Sequence, residues 1–203
     1  MTTFPMRRFI SLFAVLSFFS LLPSVAQMRD VIVNMPDTVL PLLTKVNRED
    51  CVDFREANME AKVSNRFGHT AELAVLTEDY ALWKCTESSE TEMKLFPLAD
   101  SMYVVCFVDR VLLPKVDASI RFYDTQWQRL PLKDCISIPA LNDASASLNT
   151  LNLLLSESSM TMTAVREKES LASTEEETPI AVASDTLIYD WRAGRFALRE
   201  VEP

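Results

Sequence analysis

Glycine and histidine are almost absent from this sequence of 203 residues. Only Gly68 and Gly194 are glycines, where an average usage of roughly 7% would give about 14, and His69 is the single histidine. A glycine-rich phosphate loop, a dinucleotide-binding fingerprint and a multi-histidine metal site therefore lack the residues that they require. The sequence predicts no cofactor, no metal site and no catalytic residue, and it favours a non-enzymatic role.

The first 26 residues have the pattern of a secretory signal peptide. A basic pair precedes an apolar run over residues 9–22, and the small residues Ser24 and Ala26 follow. We expect cleavage between Ala26 and Gln27, which places the mature chain in the periplasm or outside the cell. The alternative is an uncleaved anchor, because residues 9–26 reach the short end of a bilayer span. No later stretch approaches that length, so no membrane span is expected after cleavage.

The mature chain is strongly acidic. Loss of Arg7 and Arg8 with the signal takes the formal net charge from −9 to −11. No basic cluster compensates for this charge, and binding to nucleic acid depends on neutralising phosphates with lysine and arginine. The sequence therefore disfavours nucleic acid as a partner, and an unknown envelope protein or glycan is the expected one.

Four cysteines, Cys51, Cys85, Cys106 and Cys135, remain after cleavage. An even number in an exported chain fits a disulfide framework, for which four cysteines allow three connectivities. Cys106 lies in an apolar run that resembles a strand, where a free cysteine behaves as a small hydrophobe. One or two disulfides and four buried thiols therefore stand as alternatives. The absence of a C-x-x-C spacing argues against a redox pair or a zinc knuckle.

The mature chain begins with two predicted helices. Asn34, Pro36 and Asp37 have the form of a helix start, and they predict a first helix that ends near Thr44. Asn47 is the predicted N-cap of the second helix. Pro41 limits the regularity of the first helix, because a proline inside a helix removes one backbone hydrogen bond.

From residue 61 onward, short apolar runs alternate with turns, which is typical of strands. The candidate strands of the first part are Ala61–Ser64, Ala71–Thr77, Tyr80–Cys85, Thr91–Phe96, Met102–Val108 and Ser119–Tyr123. Successive strands with short links indicate an antiparallel meander. Residues 27–131 are therefore predicted to form an α+β unit, in which the helix pair packs on an antiparallel sheet.

Residues 132–203 are predicted to form a second, smaller β-rich unit. Its candidate strands are Leu151–Leu155, Met160–Val165, Ile180–Ala183, Thr186–Tyr189 and Arg195–Leu198. Segment 86–91 is similar to 156–161, and 123–130 is similar to 189–196 in the same order. A degenerate repeat of the first unit is one hypothesis, and chance similarity of Ser/Thr-rich turns is the other. The acidic run at 175–177 is typical of a solvated loop.

Several stretches resemble a secreted Bacteroidales family that is catalogued as domain of unknown function 3256. They are Met35–Arg48, Asn58–Asn65, Leu76–Tyr80, Glu92–Leu95, Ile120–Trp127 and the closing Tyr189–Phe196. The resemblance covers nearly all of the mature chain and departs at the glutamate-rich loop. It implies an extracytoplasmic protein of a Gram-negative anaerobe. It brings no activity and no catalytic residues.

Three aromatic residues, Trp127, Trp191 and Tyr189, are the candidate binding residues. They lie at or beside predicted strand ends, where they can form a contact surface for a protein or a glycan. Polar neighbours favour partial exposure of the two tryptophans. The alternative is that all three fill the core.

The function that these features favour is a non-enzymatic binding module of the cell envelope. It would act through a sheet surface or through the cleft between the two units. One alternative is a hydrolase of envelope or host glycans, which requires paired carboxylates about 5 to 10 Å apart. Another is a structural accessory subunit of an envelope assembly, for which a long exposed strand edge would be the sign.

Overall fold

A seven-stranded antiparallel sheet is the central layer of the structure, a computed structural model that describes residues 27–98, 102–137, 150–168 and 183–200. Its strands follow one another in chain order. They are β1 (Lys62–Ser64), β2 (Thr70–Leu76), β3 (Tyr80–Thr86), β4 (Ser89–Pro97), β5 (Tyr103–Val111), β6 (Asp117–Tyr123) and β7 (Arg129–Leu130). The predicted signal peptide at 1–26 and the acidic run at 175–177 lie outside the described residues.

A second antiparallel sheet of four strands follows the first in the chain. Its strands are β8 (Thr150–Leu155), β9 (Thr161–Lys168), β10 (Ala183–Arg192) and β11 (Arg195–Leu198), in the order β11-β10-β9-β8. A short helix, α3 (Leu132–Cys135), precedes this sheet in the chain. The hairpin between β10 and β11 turns at Ala193 and Gly194, which have φ angles of 49° and 83°, as a two-residue type I′ turn requires.

Two helices form the N-terminal part of the described chain, but the first is not where the sequence predicts it. Helix α1 spans Gln27–Asn34 and α2 spans Lys45–Glu56, and the residues between them form turns. The prediction of a helix from Asn34 to about Thr44 is therefore wrong. Asn34 ends α1 instead of starting a helix, and its side-chain amide donates to the carbonyl of Asp30 at 2.9 Å. The prolines of this stretch fit turns better than a helix interior.

Helix α2 begins with a capping box. The Thr44 hydroxyl accepts a hydrogen bond from the Asn47 backbone N–H, and the Asn47 side chain accepts one from the Thr44 N–H. Thr44, and not Asn47, is therefore the N-cap. The reciprocal pair satisfies two backbone donors that the first helical turn leaves without a partner.

The seven-stranded sheet separates two hydrophobic cores. On one face, α1 and α2 contribute Met28, Ile32 and Val52 to a core that contains Trp83 and Phe107. On the other face, the four-stranded sheet contributes Leu153, Met162 and Phe196 to a core that contains Phe96 and Phe122. Strands β4 and β5 are consequently buried over six and five successive residues. Burial on both faces explains why β5 is a nearly continuous apolar run, whereas β4 carries the charged residues Glu92 and Lys94 on the face toward the second sheet.

The coarse prediction of mainly antiparallel strands is confirmed, and the structure is richer in strands than an α+β layer pair. The degenerate repeat stays a hypothesis. The similar segments 86–91 and 156–161 both lie at hairpins, between β3 and β4 and between β8 and β9. Segments 123–130 and 189–196 also both lie at hairpins, between β6 and β7 and between β10 and β11. The two units differ in that β5 separates β4 from β6, whereas β9 pairs directly with β10.

Candidate functional site

A cleft of about 690 Å³ lies at the end of the molecule where all three layers meet. The helical layer contributes Gln27, and the central sheet contributes the turn between β2 and β3 and the facing ends of β4 and β5. The second sheet contributes Glu157, Ser158 and Met160 from the turn between β8 and β9. A cleft of this size is within the range of small-ligand and peptide sites.

The wall formed by the β2–β3 turn is held by backbone hydrogen bonds from three elements. The Thr77 N–H donates to the carbonyl of Tyr80 at 2.8 Å, which closes the turn. The Leu95 N–H of β4 donates to the carbonyl of Asp79 at 2.8 Å, and the Met28 N–H of α1 donates to that of Glu78 at 3.0 Å. The turn is therefore fixed to the sheet and to the helical layer.

Lys94 joins the two sheets at the base of the cleft. Its side chain is 1% exposed, and its ammonium lies 2.9 Å from the carboxylate of Asp79. The same ammonium donates to the carbonyl of Glu157 at 2.8 Å. A buried lysine requires such partners, because an unpaired charge in the interior is costly. Lys94 thereby fixes the β8–β9 turn against the β2–β3 turn.

Charged side chains of the central sheet take the place of a neighbouring strand along one edge of β8. The Leu151 N–H donates to the Asp117 carboxylate at 3.2 Å, and the Leu155 N–H donates to the Glu92 carboxylate at 2.7 Å. Between them, the Arg110 guanidinium donates to the carbonyl of Leu153. These three leucines alternate along β8 with the residues whose backbone groups face β9. We call the three charged residues the edge clasp.

Arg110 and Glu92 form a buried ion pair at the centre of the edge clasp. The Nη1–Oε1 distance is 3.0 Å, and the second Nη of Arg110 lies 2.8 Å from the Glu90 carboxylate. The Tyr80 hydroxyl donates to Glu92 at 3.2 Å. Burial raises the pKa of Glu92, although the Leu155 N–H and Arg110 oppose this. Burial also raises the pKa of Tyr80.

Of the predicted binding residues, only Trp191 lies next to the cleft. Its indole N–H donates to the carbonyl of Pro97 at 2.9 Å, and Pro97 lines the cleft. Trp191 is partly exposed, and its ring packs against Phe96 and Phe196 at 4.9 and 5.2 Å between centroids. The ring of Trp191 therefore packs in the inter-sheet core, and its indole N–H reaches the edge of the cleft at Pro97.

Tyr189 and Trp127 lie elsewhere. Tyr189 is 1% exposed in the inter-sheet core, so it cannot contribute to an exposed contact surface. Trp127 is partly exposed and packs on the opposite face of the central sheet, against Phe107 and Tyr123. Its φ of 63° is rare for a bulky residue. The carboxylate of Asp124 stabilises this turn by accepting from two backbone N–H groups.

The four disulfide candidates are free, buried thiols in the structure. Cys51 and Cys85 belong to the helix-side core, whereas Cys106 and Cys135 belong to the inter-sheet core. The central sheet separates the two pairs. Burial raises the pKa of Cys51 and of Cys85 to about 11, and it also raises the pKa of the other two. All four thiols are protonated at neutral pH and unsuited to nucleophilic attack.

The close pair of carboxylates beside Arg110 is not arranged as a glycosidase pair. Glu90 and Glu92 are close because both contact Arg110, but the arginine lies between them. Glu92 is 4% exposed and already accepts from a backbone N–H and a tyrosine. His69 is exposed in the turn between β1 and β2, which is the place that the sequence predicts.

The sequence patterns did not predict which residues hold the two sheets together. Glu92 and Lys94 interrupt the apolar run of β4 at a spacing of two, and Arg110 follows the apolar run of β5. Polar residues at alternate positions normally indicate a solvated face. Here that face is covered by the second sheet, which sequence periodicity does not reveal.

Comparison with known proteins identifies the family but no activity. A profile described as "Protein of unknown function (DUF3256)" matches residues 22–152, which is about two thirds of the chain. The chain belongs to the DUF3256 family. The matched range contains α1, α2, the central sheet and the first part of β8, so the closing segment Tyr189–Phe196 lies beyond it. No curated protein matches the sequence.

A solved structure extends the likeness past the range of the DUF3256 profile. It is a domain of an uncharacterized protein from Porphyromonas gingivalis W83, and it is 26% identical to this chain with a TM-score of 0.68. The alignment covers 85% of this chain and 97% of that domain. The alignment is therefore longer than the range that the DUF3256 profile matches. Among the helices of the described residues, none is long and apolar enough to cross a membrane.

Proposed function

We propose that this DUF3256 protein is a non-enzymatic binding module of the cell envelope and that its ligand site is the cleft where the three layers meet. The observation that supports this best is that hydrogen bonds and the Lys94 ion pair within the chain fix both walls of the cleft. A preformed site loses little conformational entropy on binding.

The chemistry of the described residues favours binding over catalysis. The buried thiols have raised pKa values. Glu92, whose pKa is raised by burial, is paired with Arg110 and accepts a hydrogen bond from the backbone of β8. Perturbed carboxylates also occur in structural ion-pair networks, and Glu92 fits that case. A glycan hydrolase therefore has less support than a binding module.

The location in the periplasm or outside the cell is part of the proposal. It depends on the signal pattern of residues 1–26 and on the resemblance to a secreted family, with cleavage between Ala26 and Gln27. The mature N-terminus would then be Gln27, which lines the cleft. N-terminal sequencing of the protein recovered from its own host tests the cleavage site directly. A retained Arg7 and Arg8 would contradict it.

Site-specific photo-crosslinking in the native host tests the binding function. A benzoylphenylalanine at Met102, which is 52% exposed and lines the cleft, should give a reproducible adduct with an envelope component. The matched control is the same group at Phe67, which is 75% exposed in the β1–β2 turn and does not line the cleft. Adducts at neither position, together with turnover of envelope glycans by the purified chain, would overturn the proposal.

A second candidate, a structural accessory subunit that adds a strand from a partner, is favoured by one strand edge. In the described residues, β11 pairs with β10 only over Tyr189–Arg192, and no strand covers the same edge over residues 183–187. The other outer edges are short or occupied, because β1 and β7 have three and two residues and β8 carries the edge clasp. Loss of envelope assembly in a Thr186→Pro variant, without loss of cleft adducts, would favour this candidate.

A further inference from the structure

The cleft has two chemically different walls. An apolar wall is formed by Leu98, Met102 and Tyr103 of the central sheet and by Met160 of the second sheet. An acidic wall is formed by the β2–β3 and β8–β9 turns, which Lys94 holds together and which contribute Glu78 and Glu157. A ligand that matches both walls combines a hydrocarbon stem with a positive charge.

The protein pairs only part of the acidic wall, although Arg29 and Arg55 line a neighbouring cavity together with Glu78. Asp79 is paired with Lys94, but within the described ranges no basic side chain forms an ion pair with Glu78 or Glu157. Both of these glutamates are exposed. The hydrogen bonds of these two residues to the protein are made by their backbone carbonyls, which accept from Met28 and from Lys94. The two carboxylates therefore remain available to a cation from outside.

We infer that the cleft binds an extended basic segment of a partner protein, whose lysine or arginine stem lies on the apolar wall and whose charged group lies between Glu78 and Glu157. The inference rests on the proposed binding function and names its partner. Long basic side chains bury their hydrocarbon stem along apolar surface and keep the charge in a polar environment. The apolar wall and the volume of about 690 Å³ exceed what one such side chain covers, so its neighbours in the segment are apolar as well.

Binding of three short peptides to the full mature chain tests the inference. The probe is fluorescein-labelled acetyl-Leu-Ala-Lys-Ala-Leu-amide, and norleucine or glutamate replaces lysine in the two comparison peptides. Norleucine keeps the length of the stem and lacks the charge. We expect the lysine peptide to bind roughly tenfold more tightly than the norleucine peptide at low salt, and this advantage should fall as salt screens the exposed charges.

Two glutamine substitutions test the role of the acidic wall. The double variant Glu78→Gln/Glu157→Gln should lose the roughly tenfold preference for lysine over norleucine. The matched control is Glu87→Gln/Glu200→Gln, which removes the same charge from exposed residues outside the cleft. Glu87 lies at the end of β3 opposite the β2–β3 turn. The control should keep the preference, and both double variants should unfold at the wild-type temperature.

The outcomes separate this inference from the binding function itself. Equal affinity for the three peptides, or no binding of the lysine peptide at millimolar concentration, would overturn the basic-segment inference. A preference for the lysine peptide that persists in the double variant Glu78→Gln/Glu157→Gln would also overturn the basic-segment inference. The photo-crosslink at Met102 decides the binding function separately. An adduct there without a lysine preference retains the cleft as a binding site and rejects only the proposed ligand.

Discussion

The two faces of the central sheet are both covered, but charged residues secure them in different ways. On the helix face, the buried Arg48 donates to the carbonyls of Ile32, Met35 and Leu43, all within 16 positions of it in the chain. On the other face, Arg110 and Glu92 bind the backbone of β8, 43 and 63 residues away. Arg48 therefore stabilises the turns within the helical layer, and Arg121 and Arg55 bridge that layer and the sheet through the carbonyls of Val39 and Ala74. The second sheet is bound instead through the N–H and C=O groups along one strand edge.

This difference shows what determines the position of the second sheet. Apolar burial attracts the two sheets, but hydrophobic contact alone is not directional. The edge clasp matches particular N–H and C=O groups of β8, so it specifies one position along the strand. It also protects an edge strand that would otherwise present unpaired backbone groups to other chains. The cleft at the end of the interface depends on this docking.

The largest expected effect is the loss of Arg110. In an Arg110→Met variant, Glu92 stays buried without its cation, which should cost about 3–5 kcal/mol of unfolding free energy. Urea denaturation measures this loss. The double variant Arg110→Met/Glu92→Leu should be more stable than Arg110→Met alone, because no uncompensated charge is left. A double variant less stable than the single one would show that the ion pair is not the source of the cost.

A smaller effect is expected on the helix face. The Arg48→Met variant removes the donor for three buried carbonyls, but its carboxylate partner Asp37 is partly exposed. We expect a loss of about 2–3 kcal/mol in urea denaturation. The control is Arg192→Met, whose exposed pair with Asp190 should cost less than about 1 kcal/mol. A larger loss for Arg48→Met than for Arg110→Met would reverse the comparison of the two faces.

The two glycines provide a matched pair of smaller perturbations. Gly68 and Gly194 have φ angles of 79° and 83°, so alanine at either position should cost about 1–2 kcal/mol of backbone strain. A Cβ at Gly68 meets nothing within 4 Å, whereas one at Gly194 lies 3.2 Å from Leu98 at the cleft. Thermal unfolding should therefore show a slightly larger loss for Gly194→Ala. A larger loss for Gly68→Ala would contradict the packing of the β10–β11 hairpin against the central sheet.

The smallest expected effect is a pH dependence of opposite sign on the two faces. A hydrogen bond from Arg48 lowers the pKa of Asp37 below 3.8, so its stabilising contribution is present above that pH and is lost as the pH falls through the lowered value. Burial raises the pKa of Glu92 above 4.5, so its stabilising contribution is full below 4.5 and is lost as the pH rises through the raised value.

Urea denaturation at several pH values, in the wild type and in variants of Asp37 and Glu92, measures these two opposite pH dependences. As the pH falls from 7 to 4.5, the wild type should gain stability relative to Glu92→Gln, whereas its difference from Asp37→Asn should change little. Below pH 3.8, the difference from Asp37→Asn should shrink. A loss of stability relative to Glu92→Gln as the pH falls from 7 to 4.5 would show that the pairing with Arg110 outweighs burial.

The sequence predicts the strands well and their layering poorly. The candidate strand Met102–Val108 matches β5 to within one residue at its start, and Ser119–Tyr123 lies within β6, because alternation and turns are local signals. The predicted helix after Asn34 failed, because capping residues also suit the end of a helix and Arg48 stabilises the turns that follow. The contact of Glu92 with Leu155 joins residues 63 positions apart, which no local pattern indicates.

Of the predicted binding residues, only Trp191 reaches the cleft, because exposure depends on the layer that covers each strand.

Hydrogen exchange at the Leu155 amide tests most directly whether charged side chains replace a neighbouring strand on β8. The Leu155 N–H faces the edge without a strand, and its acceptor is the Glu92 carboxylate. In the wild type, this amide should be protected as strongly as that of Leu154, whose backbone faces β9. In Glu92→Leu, protection should be lost at Leu155 and retained at Leu154. Rapid exchange of Leu155 in the wild type, or unchanged protection in the variant, would contradict the edge clasp.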